Sequence, residues 1–242
     1  MVFLSAFIWT TVSVLLAWGV QWIWVGMFKP KAINTVLFPG TVIASIGRTV
    51  ALLITGATWS EAPKGATNPA APQPKMPVMG PIIVAAVPLL LVGAVLSVLM
   101  FRLGTPFLMQ VSKIQVPRDL SWSLAGFWEQ LRSLVTLSEK TLDALRQTTD
   151  DSWQTFLFIY LMISLTVRLA PFPGNVRGHL IAVAALAVAA ALAGTLTPRL
   201  EQSLSAGWPL LSFTVGLLLL LMIISLLAKA FVTSARSVIK WD

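Results

Sequence analysis

Apolar residues run through this chain in long blocks, without the alternation of a half-buried strand. Val2–Val25 contains no charged residue, and Trp22 and Trp24 close it ahead of Lys29 and Lys31. A helix needs about 20 apolar residues to cross a ~30 Å hydrocarbon layer, so this block reads as a membrane span. It lacks the basic leader region and small-residue cleavage site of a signal peptide, and its apolar run is longer than theirs. It is expected to be retained.

Five more blocks follow. Asn34–Ala57 is interrupted by Arg48, and Val78–Phe101 carries Pro88, which membrane helices tolerate better than soluble ones. Trp153–Pro171 includes Arg168, Gly178–Thr197 is rich in alanine, and Trp208–Phe231 holds the run Leu217–Leu221. Alanine lets neighbouring helices approach closely, which predicts a central place for the fifth block. The bulky sixth suits lipid or a partner subunit. Trp22, Trp24, Trp59, Trp153 and Trp208 fall at block ends, as interfacial tryptophans do.

Two connections have patterns of their own. Thr58–Pro77 contains Pro63, Pro69, Pro72 and Pro74 and reads as an extended linker. Within Asp119–Thr149, Leu120, Leu124, Phe127, Leu131 and Leu134 recur at three- and four-residue steps, with Asp119 placed as an N-cap. The other face carries Glu129, Arg132, Glu139, Lys140, Asp143 and Arg146. This amphipathic helix is expected to lie on the bilayer or, given its mixed charge, to pack against protein. The expected fold is all-α: one membrane domain over residues 1–242, a bundle of about six transmembrane helices plus one amphipathic connector helix. An even number of spans puts both termini on one side.

Composition agrees with the blocks. Of 242 residues, 57% are apolar and 11% charged, against about 45–50% and 25% in soluble domains. That excludes a soluble enzyme or a nucleic-acid-binding domain. The net charge of +8 is assigned to loop ends facing anionic lipid headgroups. With no cysteine there is no disulfide and no thiolate metal site.

No Asp or Glu lies in any of the six blocks, yet Arg48 and Arg168 do. A charge within a span costs several kcal/mol unless something receives it. Each arginine either snorkels or bonds backbone carbonyls, or serves an anion, lipid-headgroup or peptide-carboxylate site. His179 is the only histidine and stands at the start of the fifth block, where an interfacial position is expected. One histidine without cysteine or a buried carboxylate does not make a three-ligand zinc site, and no Gly-x-Ser-x-Gly elbow occurs. No catalytic residue and no cofactor is expected.

The second block has a recognisable frame: Phe38-Pro39-Gly40, then Gly47, then Leu52-Leu53-Ile54-Thr55-Gly56. It resembles the zinc-binding helix of the site-2-protease class of intramembrane metalloproteases, in particular small bacterial six-span members reading F-P-G-x-x-x-H-E-x-x-H. In that frame the first histidine falls on Ala44, the glutamate on Ser45 and the second histidine on Arg48. The stretch Pro171–Gly178 resembles the one supplying the family's third ligand, an aspartate, here at Asn175. The resemblance implies a degenerate member, a pseudoprotease, with Arg48 filling the former metal pocket beside Asn175, Ser45 or freed carbonyls.

Together these observations predict a non-catalytic multi-pass protein of a prokaryotic inner membrane, acting as a scaffolding or accessory subunit among other membrane proteins. One alternative is a binding protein for a transmembrane peptide or a lipid. Another is a small anion transporter or channel component using Arg48 and Arg168.

Overall fold

The computed structural model describes residues 2–57, 76, 79–104, 115–117, 123–147, 153–171, 176–196 and 198–239. Eight helices and no strand occur among them. The expected linker falls almost entirely outside these residues, as do Asp119 and Asn175.

The first helix, α1, covers Val2–Met27. The second block is two helices rather than one. α2 (Pro30–Val36) and α3 (Phe38–Ile54) meet at Leu37 with a bend of 98°. Pro39 has no amide hydrogen to continue the α2 ladder, and its ring clashes with the carbonyl four residues back. It fits instead in the first turn of α3, where a missing donor costs nothing.

Next come α4 (Met79–Leu103), the amphipathic α5 (Leu124–Gln147) and α6 (Trp153–Val167). The described start of α5 is capped by Ser123, whose hydroxyl accepts from the Gly126 amide at 3.0 Å. α6 stops at Val167, and Arg168 and Leu169 form a turn. α7 (Val176–Leu196) is the alanine-rich helix, and α8 (Pro198–Ile239) extends the expected sixth block at both ends.

Among the described residues four helices are long and apolar enough to cross a membrane: α1, α4, α7 and α8, or five spans if the bent α2–α3 pair counts as one. α6 has 15 residues, about 22 Å of helix, which falls short of the hydrocarbon thickness.

α1 and α8 run in the same direction. Gly19 meets Met222, the Trp24 indole donates to Ser225 Oγ at 2.7 Å, and Lys229 Nζ lies 4.7 Å from the Trp22 ring centroid. Two helices that both cross in one sense are separated by an odd number of crossings. Counted as one span, the bent pair supplies three together with α4 and α7. An even total with both termini on one side does not fit this arrangement.

The expected roles of the fifth and sixth blocks are exchanged. The apolar window of α8 is 44% buried, that of α7 only 22%. α8 brings Trp208, Phe213, Leu217 and Leu218 into the core, and its Gly216 lets α5 approach so closely that a Cβ would collide with Thr141. α7 offers one close face, while Ile181, Val188 and Leu192 are exposed. Small side chains license close approach but do not themselves create burial. Trp208 is held by protein: it is 1% exposed and its indole donates to the Val116 carbonyl at 3.0 Å.

The connector packs on its own chain. Leu137 and Ala144 of α5 join Trp9, Trp208 and Val215 in one apolar cluster. Gly216 lies six residues before Met222, level with Ser13, six before Gly19, near the middle of α1. So α5 reaches mid-depth of the bundle. Its Glu129, Arg132, Glu139, Lys140, Asp143 and Arg146 are all exposed.

Candidate functional site

The elbow between α2 and α3 gathers most of the polar contacts near the expected site. α3 has a buried stripe of small residues, Gly40, Ala44, Gly47 and Ala51, at the three- and four-residue steps of one helical face. Gly47 sits against the backbone of Pro88, where a Cβ would come 2.7 Å from Pro88 Cα. At Gly40 a Cβ would meet the Ser164 carbonyl and the Cγ of Arg168. α3 is thereby wedged between α4 and α6.

α6 grips the elbow with residues four apart. The Tyr160 hydroxyl donates to the Val36 carbonyl at 2.9 Å, Ser164 Oγ accepts from the Gly40 amide at 2.9 Å, and Arg168 Nη2 donates to Asn34 Oδ1 at 2.6 Å. Tyr160 and Ser164 of α6, with Arg168 in the turn that follows it, form a polar stripe at four-residue steps. That stripe is a signal in the sequence, and it marks Asn34, Tyr160 and Ser164 as the partners that reading spans one at a time had missed. Arg168 is partly buried, and its Nη2 bond to Asn34 is itself exposed. Its Nε is buried without a hydrogen-bond partner among the described residues.

The positions drawn from the metalloprotease frame do not converge on an open pocket. Ala44 is 4% exposed and packs with Val92, Leu96, Phe158 and Met162. Ser45 is exposed and donates to its own helix at Val42, 2.8 Å away. Arg48 is half-buried with an interaction partner of its own. Asn175 lies outside the described residues. His179 is 3% exposed, a buried residue in the first turn of α7.

The donor set does not fit zinc. Alanine carries no ligand atom, the Ser45 hydroxyl turns back to its own helix, and a guanidinium repels a cation. The hydrophobic wall around Ala44 leaves that position no polar second shell of the kind that orients metal ligands. Among the described residues no three His, Cys, Asp or Glu side chains come together as a metal site. Comparison with protein-family models, with curated proteins and with solved structures found no match. What the elbow does chemically is hold two helices at a fixed angle.

Proposed function

We propose that this chain is a non-catalytic multi-pass membrane protein that acts as an accessory subunit, presenting the outer face of α5 to a polar partner. One observation carries this reading. Three acidic and three basic side chains are exposed on a helix whose inner face sits against Gly216, near the middle of the spanning helices. Those within a turn of Thr141, namely Glu139, Lys140 and Asp143, cost about 2.5–3.5 kcal/mol each if turned towards lipid at that depth. Protein or enclosed water has to receive them. The pseudoprotease frame is compatible with this role, since Ala44 serves helix packing where a metalloprotease keeps a ligand.

A second copy of the chain is a specific candidate for that partner. Laid antiparallel about the Leu137–Ser138 bond, two α5 helices oppose Glu129 to Arg146 and Arg132 to Asp143, while exposed Val135 and Thr136 lie close to the axis. Arg132 and Asp143 are eleven residues apart, about 16 Å along one helix, so they do not satisfy each other within a chain.

Charge exchange tests both levels. In mild detergent, Arg132→Asp alone is expected to reduce the assembled mass, and the double exchange Arg132→Asp with Asp143→Arg to restore it if the partner is a second copy. Loss without restoration, together with a co-purified membrane protein, supports a different subunit. A chain that stays monomeric in native membranes, with all six charges replaceable at no loss of stability, refutes the accessory reading.

A further inference from the structure

α1, α4 and α8 do not close completely on one another. They leave a cavity of about 580 Å³ within the range of small-ligand sites. Its wall holds no charged side chain. Four hydroxyls line it, at Thr10, Ser13, Ser97 and Thr214. Two of them are already committed: Ser13 donates to the Trp9 carbonyl and Ser97 to the Gly93 carbonyl, each at 2.9 Å.

Two glycines turn towards this space. A Cβ built on Gly93 or on Gly207 meets nothing within 4 Å, in contrast to the tight glycines at positions 40, 47 and 216. Neither residue is glycine because a neighbouring helix crowds it. On α4 the wall includes Leu90, 53% exposed, and the exposed Ala94, so the cavity communicates with the lipid-facing side of the bundle.

We infer that this cavity is a binding site for one hydrocarbon chain of a membrane lipid, entering sideways past Leu90 and Ala94. The size decides against a transmembrane peptide. A helix with side chains is about 10–12 Å across, and 580 Å³ would hold roughly 5–7 Å of its length, about one turn. The lining decides against an anion or a headgroup, because nothing charged reaches it. Within a bilayer there is no gain from leaving water. Retention therefore comes from dispersion contacts along the enclosed chain, and the glycines set the available width. This inference does not depend on the accessory role of α5.

The test is native mass spectrometry of the full chain, reconstituted in phosphatidylethanolamine and phosphatidylglycerol vesicles and re-extracted in mild detergent. The wild type is expected to retain one lipid per chain through washing that strips bulk lipid. Gly93→Leu with Gly207→Leu fills the space and is expected to lower that occupancy about tenfold. Val98→Leu, on the exposed face of α4, is expected to leave it unchanged. Gly93→Ala places one methyl into open space and keeps the comparison valid should the leucine variant misfold; it is expected to lower occupancy by a smaller factor. Retained intact phospholipid and retained free fatty acid both support the site and identify its source. Equal lipid content in the wild type and a folded cavity-filled variant overturns it, as does a retained molecule without a long hydrocarbon chain.

Discussion

Gly47→Ala measures how tightly α3 is seated on α4. The added methyl carbon would stand 2.7 Å from Pro88 Cα, 3.2 Å from its nitrogen and 3.3 Å from its Cβ. Optimal carbon contacts lie near 3.5–4.0 Å, so the shortfall is about 1 Å against backbone, and no side-chain rotation relieves it. α4 has to shift, and overpacking of this kind costs about 1–3 kcal/mol. Opposing it, alanine is a better helix former than glycine by about 0.8–1 kcal/mol. Gly93→Ala makes the same chemical change on α4, where the new methyl meets nothing within 4 Å. Subtracting one variant from the other cancels the propensity gain and leaves the clash, about 1–3 kcal/mol. The assay is unfolding of purified protein in mixed micelles followed by far-ultraviolet circular dichroism, with dodecyl sulfate as denaturant. Equal stability of the two variants within about 0.5 kcal/mol would show that α3 and α4 do not meet at Gly47 as described.

Other expectations follow from the same contacts. Tyr160→Phe removes the bond to the Val36 carbonyl and is expected to lower stability by about 1 kcal/mol, with faster amide exchange over Asn34–Val36 as the local sign. Trp208→Phe leaves the buried Val116 carbonyl without the indole donor. It should cost about 1–3 kcal/mol, and a near-neutral result would contradict the burial of Trp208. Restoring the protease residues, Ala44→His with Ser45→Glu and Arg48→His, is expected to yield no stoichiometric zinc by elemental analysis, because position 44 faces Val92, Leu96 and Phe158. The larger side chain at 44 should also destabilise the bundle by about 1–3 kcal/mol.

The sequence is most legible where one physical rule acts alone. Charge-free blocks of about 20 residues locate α1 and α4 to within two residues, because nothing but the hydrocarbon layer asks for them. The leucine rhythm of α5 separates partly buried Leu134 from exposed Glu129 and Arg132 but omits Leu137, Thr141 and Ala144, which are buried. Reading fails where a second constraint competes. Pro39 turns an apparent single span into an elbow, and α6 stops at Val167, whose carbonyl the ring of Pro171 would strike if the helix ran on. The exchange of α7 and α8 has a similar origin. Alanine content describes what a helix permits, whereas centrality depends on how many neighbours meet it, and no single-helix pattern encodes that. For the site, Ala44 was readable as a replacement in a metalloprotease frame and Gly47 as a glycine that the frame retains. Their part in a small-residue stripe facing Pro88 and Ser164 emerges only once three helices are together.

The shared direction of α1 and α8 has a consequence for biogenesis. The Trp24–Ser225 bond joins positions 201 residues apart. At synthesis rates of about 5–20 residues per second, roughly 10–40 s separate their emergence from the ribosome. Through that interval α1 sits in the membrane with Val14, Ala17 and Val20, all buried in the finished protein, still awaiting the last helix. An insertase or neighbouring nascent helix has that long to occupy the vacant flank, and the last helix must displace it before the bundle closes.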